Sequence, residues 1–283
     1  MTSVHKVLRI AVTTVLVSGC VGAAEDPTTA DNEVVLDHVE ALGFERQEAN
    51  ALDDRVVVQG DIIFDRDALL RGEYERWAQP DEGGLIEKGY RYPDLVAPKH
   101  QGNMRILFAT GKFAPSKEMR SAFLAAAKSW SEVPGSSIRI SPDNTGPAIV
   151  VRNVPVDRWA KYAGCKDADA CAYAPRDGRP GYDVFMRAKT RDEGCTAWSP
   201  SHLAFVARHE LGHAIGFAHP KEADSKPVKG TKTCSKATEK ECTYEPGYPT
   251  VMGAATLDSG CIYSPARVTQ DDYATCSAVY PMK

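Results

Sequence analysis

The chain has 283 residues, a formal charge of −4, 43% hydrophobic residues and 25% charged residues. This composition is ordinary for a soluble globular protein, and the length suits one principal domain with an appendage. Because the acidic balance lacks the basic stripe that phosphate binding requires, nucleic acid is not an expected partner.

The N-terminus resembles a bacterial lipoprotein signal. A short apolar run follows two basic residues and ends at VSGC, residues 17–20. The run is too short to span a bilayer, so we expect residues 1–19 to be a cleaved export signal. The resemblance implies that Cys20 carries a lipid, and that Val21 does not retain the protein at the inner membrane. An ordinary secretory signal with an incidental cysteine is the alternative.

Residues 20–33 follow the signal and are predicted to form a flexible tether, because they lack apolar periodicity. Residues 34–100 predict a helix near 34–42, a strand at 55–59 and a second helix at 67–77. No site chemistry is evident in this region. It could be a pro-segment, a supporting subdomain or a spacer.

Alternating elements from residue 101 onward predict an α+β domain that extends to residue 283. Strands are expected at residues 105–109, 137–140, 148–151 and 182–186. Ser116 is expected to cap a helix that contributes apolar residues to the core. Thr269 and Asp272 resemble a capping box at the start of a final helix.

The segment HELGHAIGFAH, residues 209–219, carries the most specific chemistry in the chain. Ser199 and Pro200 predict the start of a helix on which His209 and His213 share one face. Gly216 can end that helix sharply, which would bring His219 toward the same point.

Three imidazoles at this spacing are typical ligands of one zinc ion, with a fourth position left open for water. Glu210 lies beside the ligand stripe and is the expected base that activates this water. A structural zinc is the alternative, although such sites usually have four protein ligands. His202 lies two turns from His209, so we expect it at the surface or behind the ligands.

Residues 209–219 and the later segment YPTVMG, residues 248–253, resemble the metzincin metalloproteases. The resemblance implies that Met252 forms an apolar floor beneath the zinc ligands. It also implies a twisted mixed sheet, an active-site helix and a mostly irregular C-terminal subdomain. Some metzincins add a tyrosine ligand two residues after this methionine, but Ala254 stands there, so no tyrosine ligand is assigned.

A narrower resemblance is to the bacterial dual-action HEIGH metallopeptidases. It rests on VVQGDIIF at residues 57–64, RYP at 91–93 and the strand near Met104. Leu211 stands where that family has its namesake isoleucine.

The metzincin resemblance also implies a strand at residues 170–174 and suggests a role for residues 34–100. The strand would be the sheet edge that pairs with an extended peptide substrate. Many metzincin pro-segments silence the enzyme with a cysteine thiolate, but no cysteine occurs between residues 21 and 164. If residues 34–100 inhibit, they must act sterically or through a carboxylate.

Seven cysteines remain after Cys20, and eight in total favour an oxidising compartment. Neighbours in sequence suggest three disulfides and a single Cys195, although several could be buried thiols. The suggested pairs are Cys165–Cys171, Cys234–Cys242 and Cys261–Cys276. Aspartates at 167, 169, 177 and 183 offer ligands for calcium, with solvated loop carboxylates as the alternative.

These features predict an exported zinc-dependent endopeptidase that acts on polypeptides. It would be lipid-anchored to the outer membrane or cell surface, or secreted, and would contact the membrane only through its N-terminal lipid. Leu257, Ile262 and Tyr263 are expected to help shape the substrate pocket. Two alternatives are a non-catalytic binding lipoprotein stabilised by zinc and a zinc hydrolase of a cell-wall amide.

Overall fold

The computed structural model describes residues 27–74, 95–165, 168–189, 198–219, 232–234, 242–244, 251–252 and 270–282. The predicted export signal, Cys20 and Cys195 lie outside these ranges. No helix within them is long and apolar enough to cross a membrane.

The described helices and strands follow in chain order. The helices are α1 (Pro27–Ala41), α2 (Arg66–Leu70), α3 (Pro98–Gln101), α4 (Lys117–Ser131), α5 (Trp159–Tyr162), α6 (Pro200–Ala214) and α7 (Gln270–Val279). The strands are β1 (Ala49–Ala51), β2 (Arg55–Val58), β3 (Ile62–Asp65), β4 (Met104–Phe108), β5 (Ile140–Ser141), β6 (Ala148–Val154), β7 (Ala170–Tyr173), β8 (Asp183–Arg187), β9 (Lys232–Cys234) and β10 (Cys242–Tyr244).

The predicted α+β fold with a mixed sheet is confirmed. Eight strands form one sheet in the order β1-β2-β3-β7-β8-β6-β4-β5, while β9 and β10 form a separate pair. Strand β6 runs parallel to both β4 and β8, whereas β7 runs antiparallel to β8. The sheet therefore has the mixed strand directions that the sequence predicted.

The main hydrophobic core lies between one face of this sheet and the helices α4 and α6. Along β6, Ile149 and Val151 face this core, whereas Val154 belongs to a second core on the opposite face. Ser116 caps α4 by accepting a hydrogen bond from the backbone N–H of Met119, as its sequence position predicted.

The N-terminal region is part of the same sheet, which corrects the expectation that β7 is an edge strand. Strand β3 pairs with β7 in parallel, with Ile62 opposite Ala172 and Ile63 opposite Tyr173. Strand β7 therefore lies between β3 and β8. Periodicity could not predict this arrangement, because the pairing joins segments that are more than a hundred residues apart.

Helix α1 starts at Pro27, so it includes residues that composition assigned to the flexible tether. Val35 and Val39 lie four positions apart on this helix and are fully buried. Arg46 forms ion pairs with Glu33 and with Asp37. The helix forms although its first residues are polar, because one of its faces packs in the same core cluster as β2 and β3. Tertiary packing of this kind supplies most of the stability of a helix.

The cysteines give a mixed outcome. The predicted Cys165–Cys171 disulfide is present. Cys276 is a free, buried thiol with its Sγ 3.3 Å from Ser136 Oγ, so the suggested pairing with Cys261 is wrong. Cys234 and Cys242 are register partners on β9 and β10, and their disulfide stays a prediction.

Trp130 joins α4 to the segment that carries the three histidines. Its Nε1 donates a 2.9 Å hydrogen bond to the carbonyl of Arg208, and its ring stacks on Phe217 with centroids 5.3 Å apart. Because Arg208 and Phe217 lie near the two ends of residues 209–219, this one side chain fixes α6 and the following turn against α4.

We predict that Trp130→Phe lowers the free energy of unfolding by about 2–3 kcal/mol, since it removes the hydrogen bond and leaves a gap in the core. Urea denaturation of the metal-loaded protein measures this change. Leu124→Ala on the exposed part of α4 is the matched control, with an expected change of about 0.5 kcal/mol or less. Equal effects of the two substitutions would contradict the assigned role of Trp130.

Candidate metal centre

Helix α6 and the turn after it position the three histidines. Ser199 Oγ accepts a hydrogen bond from the backbone N–H of His202, and Pro200 occupies the first turn, as predicted. The helix ends in a Schellman motif, in which Phe217 N–H bonds to Gly212 O and Gly216 N–H bonds to His213 O. Gly216 has a φ of +107°, which a side chain would strain.

The turn brings His219 back to the helix, so the Nε2 atoms of all three histidines meet. His209 and His213 are 3.0 Å apart at these atoms, His213 and His219 are 3.2 Å apart, and His219 and His209 are 2.9 Å apart. Nitrogen ligands in a tetrahedron around zinc lie about 3.3 Å from each other. The three side chains are buried and have a spacing close to that of a zinc site.

Backbone carbonyls determine which ring nitrogen faces the centre. His209 Nδ1 donates to Val251 O at 2.8 Å, and His213 Nδ1 donates to Phe217 O at 2.7 Å. A neutral imidazole with a proton on Nδ1 has a lone pair on Nε2. The lone pairs of His209 and His213 therefore point at each other, and a shared cation relieves this repulsion.

The protonation of His213 agrees with this arrangement. Burial, outweighing the nearby Asp61 carboxylate, lowers the pKa of His213 to about 4. The imidazole is therefore neutral near pH 7, which is the form that binds a metal ion.

Asp61, which directly precedes β3, is a fourth side chain in this cluster that sequence reasoning missed. Its Oδ2 lies 3.2 Å from His209 Nε2 and 3.3 Å from His219 Nε2, and its Oδ1 lies 3.6 Å from His213 Nε2. Within the described ranges, these four residues are the group of three or more potential ligands that could hold one ion. The donor set of three imidazoles and one carboxylate fits zinc.

Glu210 follows His209 on α6 and is buried, with 2% of its surface exposed. Among the described residues, its Oε2 has no hydrogen-bond partner. Burial, together with the negative charge of Asp61, raises the pKa of Glu210 well above its usual range. A buried carboxyl with an oxygen that lacks a hydrogen-bond partner is typical of a group retained for proton transfer.

Val251 and Met252, the two described residues of the predicted methionine turn, lie against α6. Met252 is buried, and a side chain added at Gly212 would place its Cβ 2.2 Å from Met252 Sδ. The Val251 N–H donates to both oxygens of Asp272 at 3.2 and 3.0 Å, while Val251 O accepts from His209. Asp272 on α7 therefore holds the carbonyl that orients His209.

Two further predictions meet different outcomes. His202 is not at the surface; it is 3% exposed, and its Nε2 lies 3.9 Å from Asp169 Oδ2. Burial lowers its pKa to about 3. Among the aspartates considered for calcium, Asp183 is buried and pairs with Arg152 at 2.6 Å, whereas Asp177 is exposed.

Several predicted residues lie outside the described ranges. They are Ala254, the pocket residues Leu257, Ile262 and Tyr263, Asp167 of the calcium set, and Thr269 of the capping box.

No protein-family model matches the chain. Matrix metalloproteinase-20 of Homo sapiens is 31% identical over 126 residues, which cover 43% of this chain and 25% of the relative. The chain thus spans about a quarter of that relative's length. The similarity is to a metalloproteinase. Being distant and partial, it gives weak support for a metzincin-like protease, and the HEIGH resemblance stays a prediction.

We predict that His213→Ala lowers the zinc affinity by about a thousandfold or more, because one of the three converging imidazoles is lost and the remaining side chains are positioned for a centre that includes it. A site filled at a thousand times its Kd contributes about 4 kcal/mol of stability. A chelator should therefore lower the Tm of the unmodified chain by about 10 °C and leave that of His213→Ala unchanged.

Metal analysis and calorimetry, with and without chelator, make these measurements. His100→Ala is the control, because His100 lies outside the cluster. Full zinc occupancy in His213→Ala would contradict the ligand assignment.

Proposed function

We propose that the protein is a zinc-dependent endopeptidase in which Glu210 transfers protons during hydrolysis of a peptide bond. The single observation that carries the proposal is the convergence of three Nε2 atoms beside a buried Glu210 whose Oε2 lacks a partner among the described residues. The partial similarity to a matrix metalloproteinase supports the same class of activity.

In this mechanism His209, His213 and His219 would hold the ion, while Val251 and Phe217 keep the first two imidazoles in the required tautomer. Zinc held there would supply Lewis-acid chemistry that lowers the pKa of a water and polarises the scissile carbonyl. Glu210 would accept a proton from the attacking water and would later deliver it to the leaving amine. Its raised pKa suits a group that must both take and release a proton.

Selectivity for polypeptides would come from backbone pairing with β7, on the side of that strand where β3 now lies. The N–H groups of Ala172 and Ala174 point along this edge toward β3, where each donates a 2.9 Å hydrogen bond. An extended peptide that replaced β3 would meet the same two donors. This edge leads to the metal centre because β3 itself begins next to Asp61.

A zinc-stabilised binding protein is a second candidate, favoured by one observation: the carboxylate of Asp61 can complete a closed shell of four protein ligands. That candidate gives no reason to bury Glu210 with an Oε2 atom that has no hydrogen-bond partner among the described residues. A zinc hydrolase of a cell-wall amide would use the same groups and differ only in substrate, so a comparison of casein with cell-wall fragments separates the two enzymes.

The proposal includes export. The basic and apolar residues before Cys20 support a cleaved signal with lipid attachment, and the disulfide between Cys165 and Cys171 suits an oxidising compartment. The protein would then act on polypeptides outside the cytoplasm, either anchored by its lipid or secreted.

We predict that Glu210→Gln lowers the rate of casein cleavage by about a hundredfold or more, since general acid-base catalysis is worth at least that factor. Zinc content should be unchanged, because Glu210 is not a ligand. Labelled casein and metal analysis give the two readouts. Glu132→Gln, which alters an exposed glutamate on the cap of α4, is the control. The comparison is made in the unmodified chain and in Asp61→Ala, which removes the carboxylate beside the three Nε2 atoms; cleavage by the Glu210→Gln form at the rate of an active parent would exclude the mechanism.

A further inference from the structure

We propose that β2, β3 and the loop between them (residues 55–65), here called the inhibitory hairpin, hold the metal centre closed, with Asp61 as the fourth metal ligand. The proposal deepens the endopeptidase assignment and rests on it. It also assigns a role to part of residues 34–100, for which the sequence left three roles open.

The first step of the argument is the position of the Asp61 carboxylate. Its oxygens lie 3.2–3.6 Å from the three Nε2 atoms, on the side that three imidazoles leave open. Oδ1 is buried and has no hydrogen-bond partner among the described residues. Burying a carboxylate oxygen without a hydrogen-bond partner destabilises the folded protein unless a cation pairs with it. Asp61 therefore occupies the position that a catalytic site keeps for water.

The second step is the conformation that places Asp61 there. Val58 and Ile62 are register partners, so residues 59–61 form the loop of the hairpin. Gln59 has a φ of 51° and Gly60 a φ of 88°. Left-handed backbone at a glutamine is uncommon and is retained where the surrounding structure requires it. This tight loop points Asp61 at the histidines as β3 begins.

The third step is the strand that follows Asp61. The carbonyls of Asp61 and Ile63 accept hydrogen bonds from the N–H groups of Ala172 and Ala174, both at 2.9 Å. Strand β3 therefore uses the β7 donors that an extended substrate would need. One segment fills both the fourth ligand position and the peptide-binding edge.

The fourth step is the packing that keeps the hairpin in place. Val57 and Ile63 are buried in the same core cluster as Tyr173 and Phe185. Asp65, the last residue of β3, pairs with Arg176 beyond β7 at 3.0 Å. A ligand held within the same chain competes at a high effective concentration, so an external ligand binds weakly while the carboxylate is present.

The test uses full-length protein with Co(II) in place of zinc and acetohydroxamate as the probe ligand. Asp61→Asn removes the charge at constant size, and Asp61→Ala removes the whole carboxylate. If one variant fails to fold, the other still gives the measurement. Asp54→Asn is the matched control, because Asp54 lies just before the hairpin with its side chain largely exposed. Amide exchange at Ala172 and Ala174 reports whether β3 leaves the edge when the Asp61 contact is lost, and we expect faster exchange in both Asp61 variants.

We expect both Asp61 variants to bind acetohydroxamate about a hundredfold more tightly than the unmodified chain and the control. Their Co(II) absorption spectra should also differ from that of the unmodified chain before the probe is added. Equal affinities and identical spectra in all four proteins would overturn the proposal.

Hydrolysis of a short fluorogenic peptide separates this proposal from the assignment as an endopeptidase. A rate gain in the Asp61 variants that Glu210→Gln abolishes supports both. Tighter probe binding without any hydrolysis supports Asp61 as a ligand and contradicts the endopeptidase. Glu210-dependent hydrolysis that is the same with and without the Asp61 carboxylate, with unchanged spectra, supports the endopeptidase and overturns the inhibitory hairpin.

Discussion

The arrangement of the centre depends on two hydrogen bonds from imidazole Nδ1 atoms to backbone carbonyls. Val251 O and Phe217 O accept from His209 and His213, which fixes both Nε2 lone pairs on one point. Side chains from α4 and α7 hold the residues that carry these two carbonyls in position. Asp272 holds the Val251 peptide from α7, and Trp130 packs against Phe217 from α4. A change far from the metal can therefore disturb its ligands through the backbone.

The part of the site that sequence could predict is the part encoded locally. His209, Glu210, His213, Gly216 and His219 lie within one helix and its terminal turn, so residue spacing alone determines how they meet. The caps of α4 and α6 were predictable for the same reason, because an N-cap bonds to a backbone group only a few residues away.

Contacts between residues far apart in the sequence could not be predicted from the sequence pattern. Asp61 meets His209 across a separation of 148 residues, through a strand pairing that periodicity does not specify. The same pairing turned β7 from an expected edge into an internal strand. The free thiol of Cys276 is another example, since its contact with Ser136 crosses 140 residues. The absence of cysteine between residues 21 and 164 indicated that residues 34–100 could inhibit the centre only sterically or through a carboxylate. It did not indicate which residue would carry that carboxylate.

The sheet that joins β3 to β7 has a further consequence for any form of the protein without its N-terminal part. Ile63 and Val57 cover Tyr173 and Phe185, while Ile62 continues the opposite face beside Ala172. Loss of these strands would uncover apolar surface and unpaired peptide groups along one flank of the molecule. Such a form would be prone to self-association through that flank. The time for which it stayed monomeric would depend on how quickly another chain covered the exposed groups.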